Sequence, residues 1–183
     1  MKKVLMVVIS VVAALTMMIM VAGCGKSDEQ VIKDGISSEL DQFKDVNSDQ
    51  WQQNMSSLDS TLSGYGISST DLVSSWVEGF DYQIGDVTID GDTATVQVTI
   101  TCKQLYPVMS AATQTLMNDP DVSTMSVTDL QTKVGTEIMK EFQNATPVTT
   151  TISVPCEKSG NSWTESAGAE AEYTKALYGD MSS

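Results

Sequence analysis

Thr93-Ala94-Thr95-Val96-Gln97-Val98-Thr99-Ile100-Thr101-Cys102 decides the fold. Apolar and polar residues alternate through the whole stretch. Successive side chains of an extended chain point to opposite faces, so this pattern dictates a strand. Ala94, Val96, Val98, Ile100 and Cys102 form its buried side. Gln97 and the threonines form its wet side, as in an antiparallel sheet covered on one face only.

Just upstream, Asp90-Gly91 is a hairpin turn signal, because aspartate and glycine tolerate the positive φ of tight hairpins. Tyr82, Ile84, Val87 and Ile89 mark the partner strand. Their parity shifts near Gly85, which predicts a β-bulge. Downstream, Val148, Thr150, Ile152, Val154 and Cys156 alternate as a third strand, and Ser159-Gly160-Asn161 turns into a short fourth around Trp163.

Helical periodicity fills the remainder. Ile32, Ile36, Leu40 and Phe43 recur at helical spacing, interrupted by Gly35. Trp51, Met55, Leu58 and Leu62 form a second stripe, with Ser48 as its cap and Gly64 and Gly66 at its end. Leu72, Val73, Trp76, Val77 and Phe80 form a third, behind a cap at Ser69 or Thr70. A fourth helix runs from Leu105 to Asn118 and breaks at Asn118-Asp119-Pro120-Asp121. Ser126 and Asp129 make a capping box for a fifth, which carries Val127, Leu130, Val134, Ile138 and Phe142. Glu170 to Tyr178 reads as a weak helix or a frayed tail. These stripes are core, and aromatics at helical spacing need no cofactor to explain them. The order helices, hairpin, helices, hairpin predicts an α+β domain with helices on one face of a mostly antiparallel sheet.

The N-terminus carries a different message. Lys2-Lys3 precede an apolar run from Val4 to Ala22, broken only by Ser10 and Thr16. Cations followed by an apolar core form a secretory signal, and the basic flank stays in the cytoplasm. A run of this length also approaches what a bilayer about 30 Å thick requires, so a retained membrane anchor is the competing reading. Val21-Ala22-Gly23-Cys24 resembles the bacterial lipobox, in which small residues admit the peptidase and the cysteine thiol takes a diacylglycerol unit. This divides the chain into a signal peptide (1–23), a lipidated tether (24–30) and one α+β domain (31–183). Either reading sets the domain on the extracytoplasmic side. Two acyl chains, at about 0.8 kcal/mol per buried CH₂, give stable attachment to the cell membrane.

Removing Lys2 and Lys3 with the signal leaves 8 basic and 24 acidic residues, a net charge of −16 at pH 7. That surface repels nucleic acid and anionic lipid. The acids are scattered, as solvated surface residues are. No histidine occurs, which removes the commonest general base, transition-metal ligand and near-neutral switch together. There is no Cys-x-x-Cys and no glycine-rich phosphate loop. Asp86, Asp90 and Asp92 lack the remaining spacing and terminal glutamate of a calcium loop, and so do Asp119 and Asp121. No catalytic constellation, metal site or cofactor is expected.

With Cys24 acylated, Cys102 and Cys156 remain as a candidate disulfide pair. Parallel or offset strands would let the thiols meet. In-register antiparallel strands would set them about eight residues apart at ~3.3 Å each, beyond the ~7 Å Cα limit of a bridge.

Tyr82 to Val96, together with the lipobox, resembles small Gram-positive envelope lipoproteins of unknown function with a cystatin-like domain, related to nuclear transport factor two. The resemblance implies helices wrapped on a curved antiparallel sheet, often around a cone-shaped cavity. That superfold includes enzymes and binding modules, so the fold alone assigns no activity. A membrane-tethered single domain with no recognisable catalytic constellation is expected to be non-catalytic and to bind a small ligand or an envelope protein. Some isomerases of that superfold use an aspartate and a tyrosine, which brings Tyr82 and Tyr106 forward for the rival reading of a cavity enzyme. Such an enzyme would show a buried aspartate, its pKa raised, facing a tyrosine in an apolar pocket. A substrate-binding lipoprotein of a transporter is the other binding reading, although two lobes around a cleft usually need a longer chain.

Overall fold

The computed structural model describes residues 20–21 and 25–179. The signal run up to Ile19 and the lipobox residues Ala22, Gly23 and Cys24 lie outside the described residues.

Among the described residues four antiparallel strands form the body of the sheet: β1 (Asp81–Asp90), β2 (Thr93–Cys102), β3 (Val148–Ser159) and β4 (Ser162–Glu165). They lie in the order β4-β3-β2-β1. The expected alternation holds on β2, where Ala94, Val96, Val98, Ile100 and Cys102 are buried. The β1–β2 register shifts between Ile84 and Val87, so the parity change is a bulge. Gly91 takes the hairpin turn with φ of 60°. β2 and β3 pair without interruption from Thr93↔Glu157 to Cys102↔Val148. Met20–Val21 pairs antiparallel with Trp163 and Ser162 on the outer edge of β4.

Among the described residues six helices complete the fold: α1 (Asp28–Lys44), α2 (Asp49–Leu62), α3 (Ser69–Val77), α4 (Leu105–Met117), α5 (Val127–Asn144) and α6 (Ala169–Tyr178). Short 3₁₀ turns, Ser63–Tyr65 and Pro120–Thr124, follow α2 and α4. Serine hydroxyls cap three of the helices. Ser27, Ser68 and Ser126 accept from Gln30, Asp71 and Asp129 backbone N–H groups, satisfying donors that a helix leaves unpaired. The α3 cap is therefore Ser68, rather than the expected Ser69 or Thr70. Ser69 is instead buried, with its N–H donating to Asp59 at 3.1 Å. α1 begins at Asp28, inside the segment expected to be tether.

The layer between helices and sheet is filled by aromatic side chains. Phe43 packs on Trp51, Trp76 and Phe80 with ring centroids 5.0–5.6 Å apart, and Trp76 stacks on Tyr178 at 5.9 Å. The indole N–H groups of Trp51 and Trp76 reach Phe43 and Lys103 carbonyls at 2.8 and 3.0 Å, so their burial leaves no unmet donor. Tyr178 belongs to α6, which is docked rather than frayed, with Ala169, Tyr173, Ala176, Leu177 and Tyr178 all buried. α6 lies along β3, and Glu172 accepts from the Ser153 backbone N–H at 3.3 Å. Val127, expected in the core, is 75% exposed, because α5 turns its first residue to water.

Candidate functional site

The helices bury one face of the sheet. The register then fixes what the other face presents. Residues paired across strands share a face, so Asp81, Gln83, Thr88 and Asp90 of β1 line up with Thr101, Thr99, Thr95 and Thr93 of β2. The β2 row lines up in turn with Thr149, Thr151, Ser153, Pro155 and Glu157 of β3, and Glu157 with Thr164 of β4. The paired rows carry no lysine or arginine; Asp81, Asp90 and Glu157 sit at or near strand ends, and Asp86 is exposed at the β1 bulge.

Its rungs are tied by side-chain hydrogen bonds. Thr101 and Thr149 hydroxyls are 2.8 Å apart, Thr99 and Thr151 hydroxyls 3.1 Å, and Gln97 donates to Ser153 Oγ at 2.9 Å. β-Branched threonines hold few rotamers, so the hydroxyls stand in a fixed array. The array can accept and donate hydrogen bonds to a polar surface laid flat on it, with little side-chain entropy left to lose.

Concave candidates are weaker. A notch lined by Gln104, Val108, Glu141 and Val148 encloses about 210 Å³, below the ~300–1,000 Å³ usual for ligand pockets. A shallow groove along α1 is lined by Lys26, Asp34, Ser37, Asp41 and Asp45. Tyr82 reaches its edge, where its hydroxyl is 2.7 Å from both Asp41 Oδ1 and Ser37 Oγ. An aspartate and a tyrosine thus meet, but at a solvent-facing groove rather than in an apolar pocket. Tyr106 is elsewhere, half-buried against the Tyr178 ring at 5.8 Å.

Cys102 and Cys156 are both free and buried. Cys102 pairs with Val148, and Cys156 with Ala94, so the in-register antiparallel arrangement sets them at opposite ends of the β2–β3 pair. This geometry does not bridge the candidate pair. Cys102 Sγ donates instead to the Ala176 carbonyl at 3.3 Å. Burial pushes both thiols up to about 12, away from the reactive thiolate. Thiol titration of the denatured, unreduced protein is expected to count both cysteines. The native protein should react far more slowly, and failure to recover both thiols would mean that a bridge forms.

A buried acidic cluster is the feature that reading the sequence missed. Glu39 is 2% exposed and Glu165 7% exposed, and the Tyr173 hydroxyl donates to Glu165 Oε1 at 2.6 Å. Both Glu39 oxygens and Glu165 Oε2 are buried without a conventional donor. The signal was present. Glu39 is three residues after Ile36 and seven after Ile32, on the buried face of α1. Glu165 shares the parity of Trp163, which is fully buried.

No family model and no curated protein sequence matches the chain. Among solved structures it is similar to a presumed lipoprotein, ycdA, from Bacillus subtilis, at 19% sequence identity and a TM-score of 0.44. That match covers 71% of this chain and 46% of the Bacillus protein, so the chain spans about half the length of its neighbour.

Proposed function

We propose that the protein is a non-catalytic extracytoplasmic lipoprotein, acylated at Cys24, that binds an envelope partner through the threonine-rich outer face of its sheet. The observation that carries this reading is the face itself. Packing the helices on one side leaves an ordered array of hydroxyls and amides, free of lysine and with Asp81, Asp90 and Glu157 at its margins, on a strongly acidic chain. A flat hydrogen-bonding surface suits a macromolecule better than a small apolar substrate. Among the described residues no helix is long and apolar enough to cross a membrane. Attachment therefore falls to the N-terminal segment, where Val21-Ala22-Gly23-Cys24 supports lipidation. Cleavage before Cys24 would also remove Met20 and Val21 from the edge of β4, leaving a four-residue edge strand, short enough to resist unwanted pairing.

Two substitutions test the parts separately. Cys24→Ala should release the protein from the membrane and change its electrophoretic mobility. Unchanged attachment and mobility would remove lipidation from the proposal. Thr95→Arg with Thr151→Arg places long cations on the array at two exposed positions. Surface changes of this kind usually alter stability by less than about 0.5 kcal/mol. Crosslinking on intact cells, read by mass spectrometry, should capture a recurrent partner with the wild type and lose it with the double variant. A partner captured equally by both would place the interface elsewhere on the domain.

A further inference from the structure

We propose that Glu39 and Glu165 share one proton, and that this proton is a latch holding α1 and α6 against β4. Three elements meet at the pair: Glu39 comes from α1, Glu165 from β4 and Tyr173 from α6. The hydrogen-bond inventory of the described residues calls for a proton there. Two ionised carboxylates are acceptors only, and the single donor, Tyr173, serves one oxygen of Glu165. A neutral Glu39 carboxyl supplies the missing donor to Glu165. Glu165 then accepts from both sides, from Tyr173 and from Glu39, and only the Glu39 carbonyl oxygen is left without a donor.

Among the described residues no free cation is placed against the pair. Cys156 of β3 faces the pair and is a neutral thiol. Lys158 of β3 is engaged elsewhere, 2.6 Å from Asp28 of α1 and 5.5 Å from the Trp163 ring centroid. The hydrogen bond from Lys158 holds Asp28 below the usual carboxylate range, so that neighbour stays anionic and adds no proton. Among the described residues no group of three or more histidine, cysteine, aspartate or glutamate side chains could hold a metal ion. The direction of titration agrees with the inventory. Burial and the neighbouring Glu165 charge push Glu39 up to about 9, while Glu165, held down by the Tyr173 and Glu39 hydrogen bonds against its own burial, rises only to about 7.

Loss of the shared proton leaves two like charges in an apolar layer, and separating α1 from β4 relieves them. The latch is therefore closed at acidic and neutral pH and opens in alkali. It does not depend on lipidation or on the sheet face.

Infrared spectroscopy of the membrane-bound protein reads the proton directly. At pH 7 the wild type should show the C=O stretch of a protonated carboxyl, and the band should weaken in Glu39→Gln. Hydrogen exchange, corrected for intrinsic rates, should show α1 and β4 losing protection between pH 7 and 10. Glu39→Gln, whose amide donates permanently, should keep that protection flat with pH. If Glu39→Gln does not fold, the wild-type spectrum still decides. No protonated carboxyl at pH 7, or the same pH profile in both proteins, would overturn the latch.

Discussion

Gly135→Ala is expected to destabilise the domain by about 3 kcal/mol or more, the upper end of what overpacking a core costs. The direction is not obvious from local preference, since alanine in a helix interior is favoured over glycine by about 1 kcal/mol. Packing reverses it. Gly135 lies within α5, where the helix crosses the 3₁₀ turn Ser63–Tyr65. A Cβ there would sit 1.9 Å from the Tyr65 carbonyl oxygen and 3.1 Å from Ile67 Cγ1. The first obstacle is backbone and cannot swing aside as a side chain can. The whole helix would have to lift, and Val134, Ile138 and Phe142, all buried, would lift with it. Gly64→Ala is the control, because a Cβ at that position meets nothing within 4 Å. The control should be neutral or slightly stabilising. Urea denaturation of both variants checks the contrast, and equal midpoints would mean that α5 can move off the turn at little cost.

That glycine shows where reading the sequence stops. The strands were legible because alternation with period two is a local signal, and Thr93 to Cys102 states it without interruption. Bulge, hairpin and helical stripes followed from similarly local rules. Tertiary contacts left weaker marks. Nothing near Gly135 in sequence announces the turn that needs its missing side chain. Glu170 to Tyr178 reads in sequence as a weak helix or a frayed tail, yet Tyr173, Leu177 and Tyr178 seat it in the core. The order helices, hairpin, helices, hairpin predicted the α+β class that the structure shows, while the aromatic side chains that fill the helix–sheet layer were legible only as stripes. The candidate face was half legible. Its threonines were assigned to the wet side at once, but only the register shows that the β1, β2 and β3 rows align into one array. The acid pair was the opposite case, a visible signal left unread. Glu39 interrupts an apolar stripe, and a charge on a buried face requires a partner.

The second large effect concerns pH, and its sign runs against ordinary acid denaturation. Folding stability is expected to fall as pH rises from 5 to 8.5, by about 1.4 kcal/mol per pH unit for each proton retained only in the fold. Glu39 carries the slope. Its carboxyl titrates near 4.5 in the unfolded chain and is pushed up to about 9 in the fold. Below 4.5 both states hold the proton and stability does not depend on it. Above 4.5 the unfolded chain releases the proton and the folded chain keeps it, so every added pH unit favours unfolding until the folded group also titrates. Glu165, raised to about 7, steepens the lower part of the window. Other shifted groups act outside it. Asp28, Asp34, Asp59, Glu78 and Asp119 are all lowered, so their contributions are present above the usual carboxylate range and are lost only in stronger acid. The buried thiols, raised from 9 to about 12, weaken the fold only beyond pH 9. Glu39→Gln removes the titration while keeping the volume and a donor. Its stability should be flat across the window and should exceed that of the wild type at pH 8.5. Urea midpoints measured at half-unit steps give the comparison. A wild-type profile that rises with pH, or a Gln variant that follows the wild-type slope, would show that the carboxyl is ionised in the fold and that a cation or water reaches it.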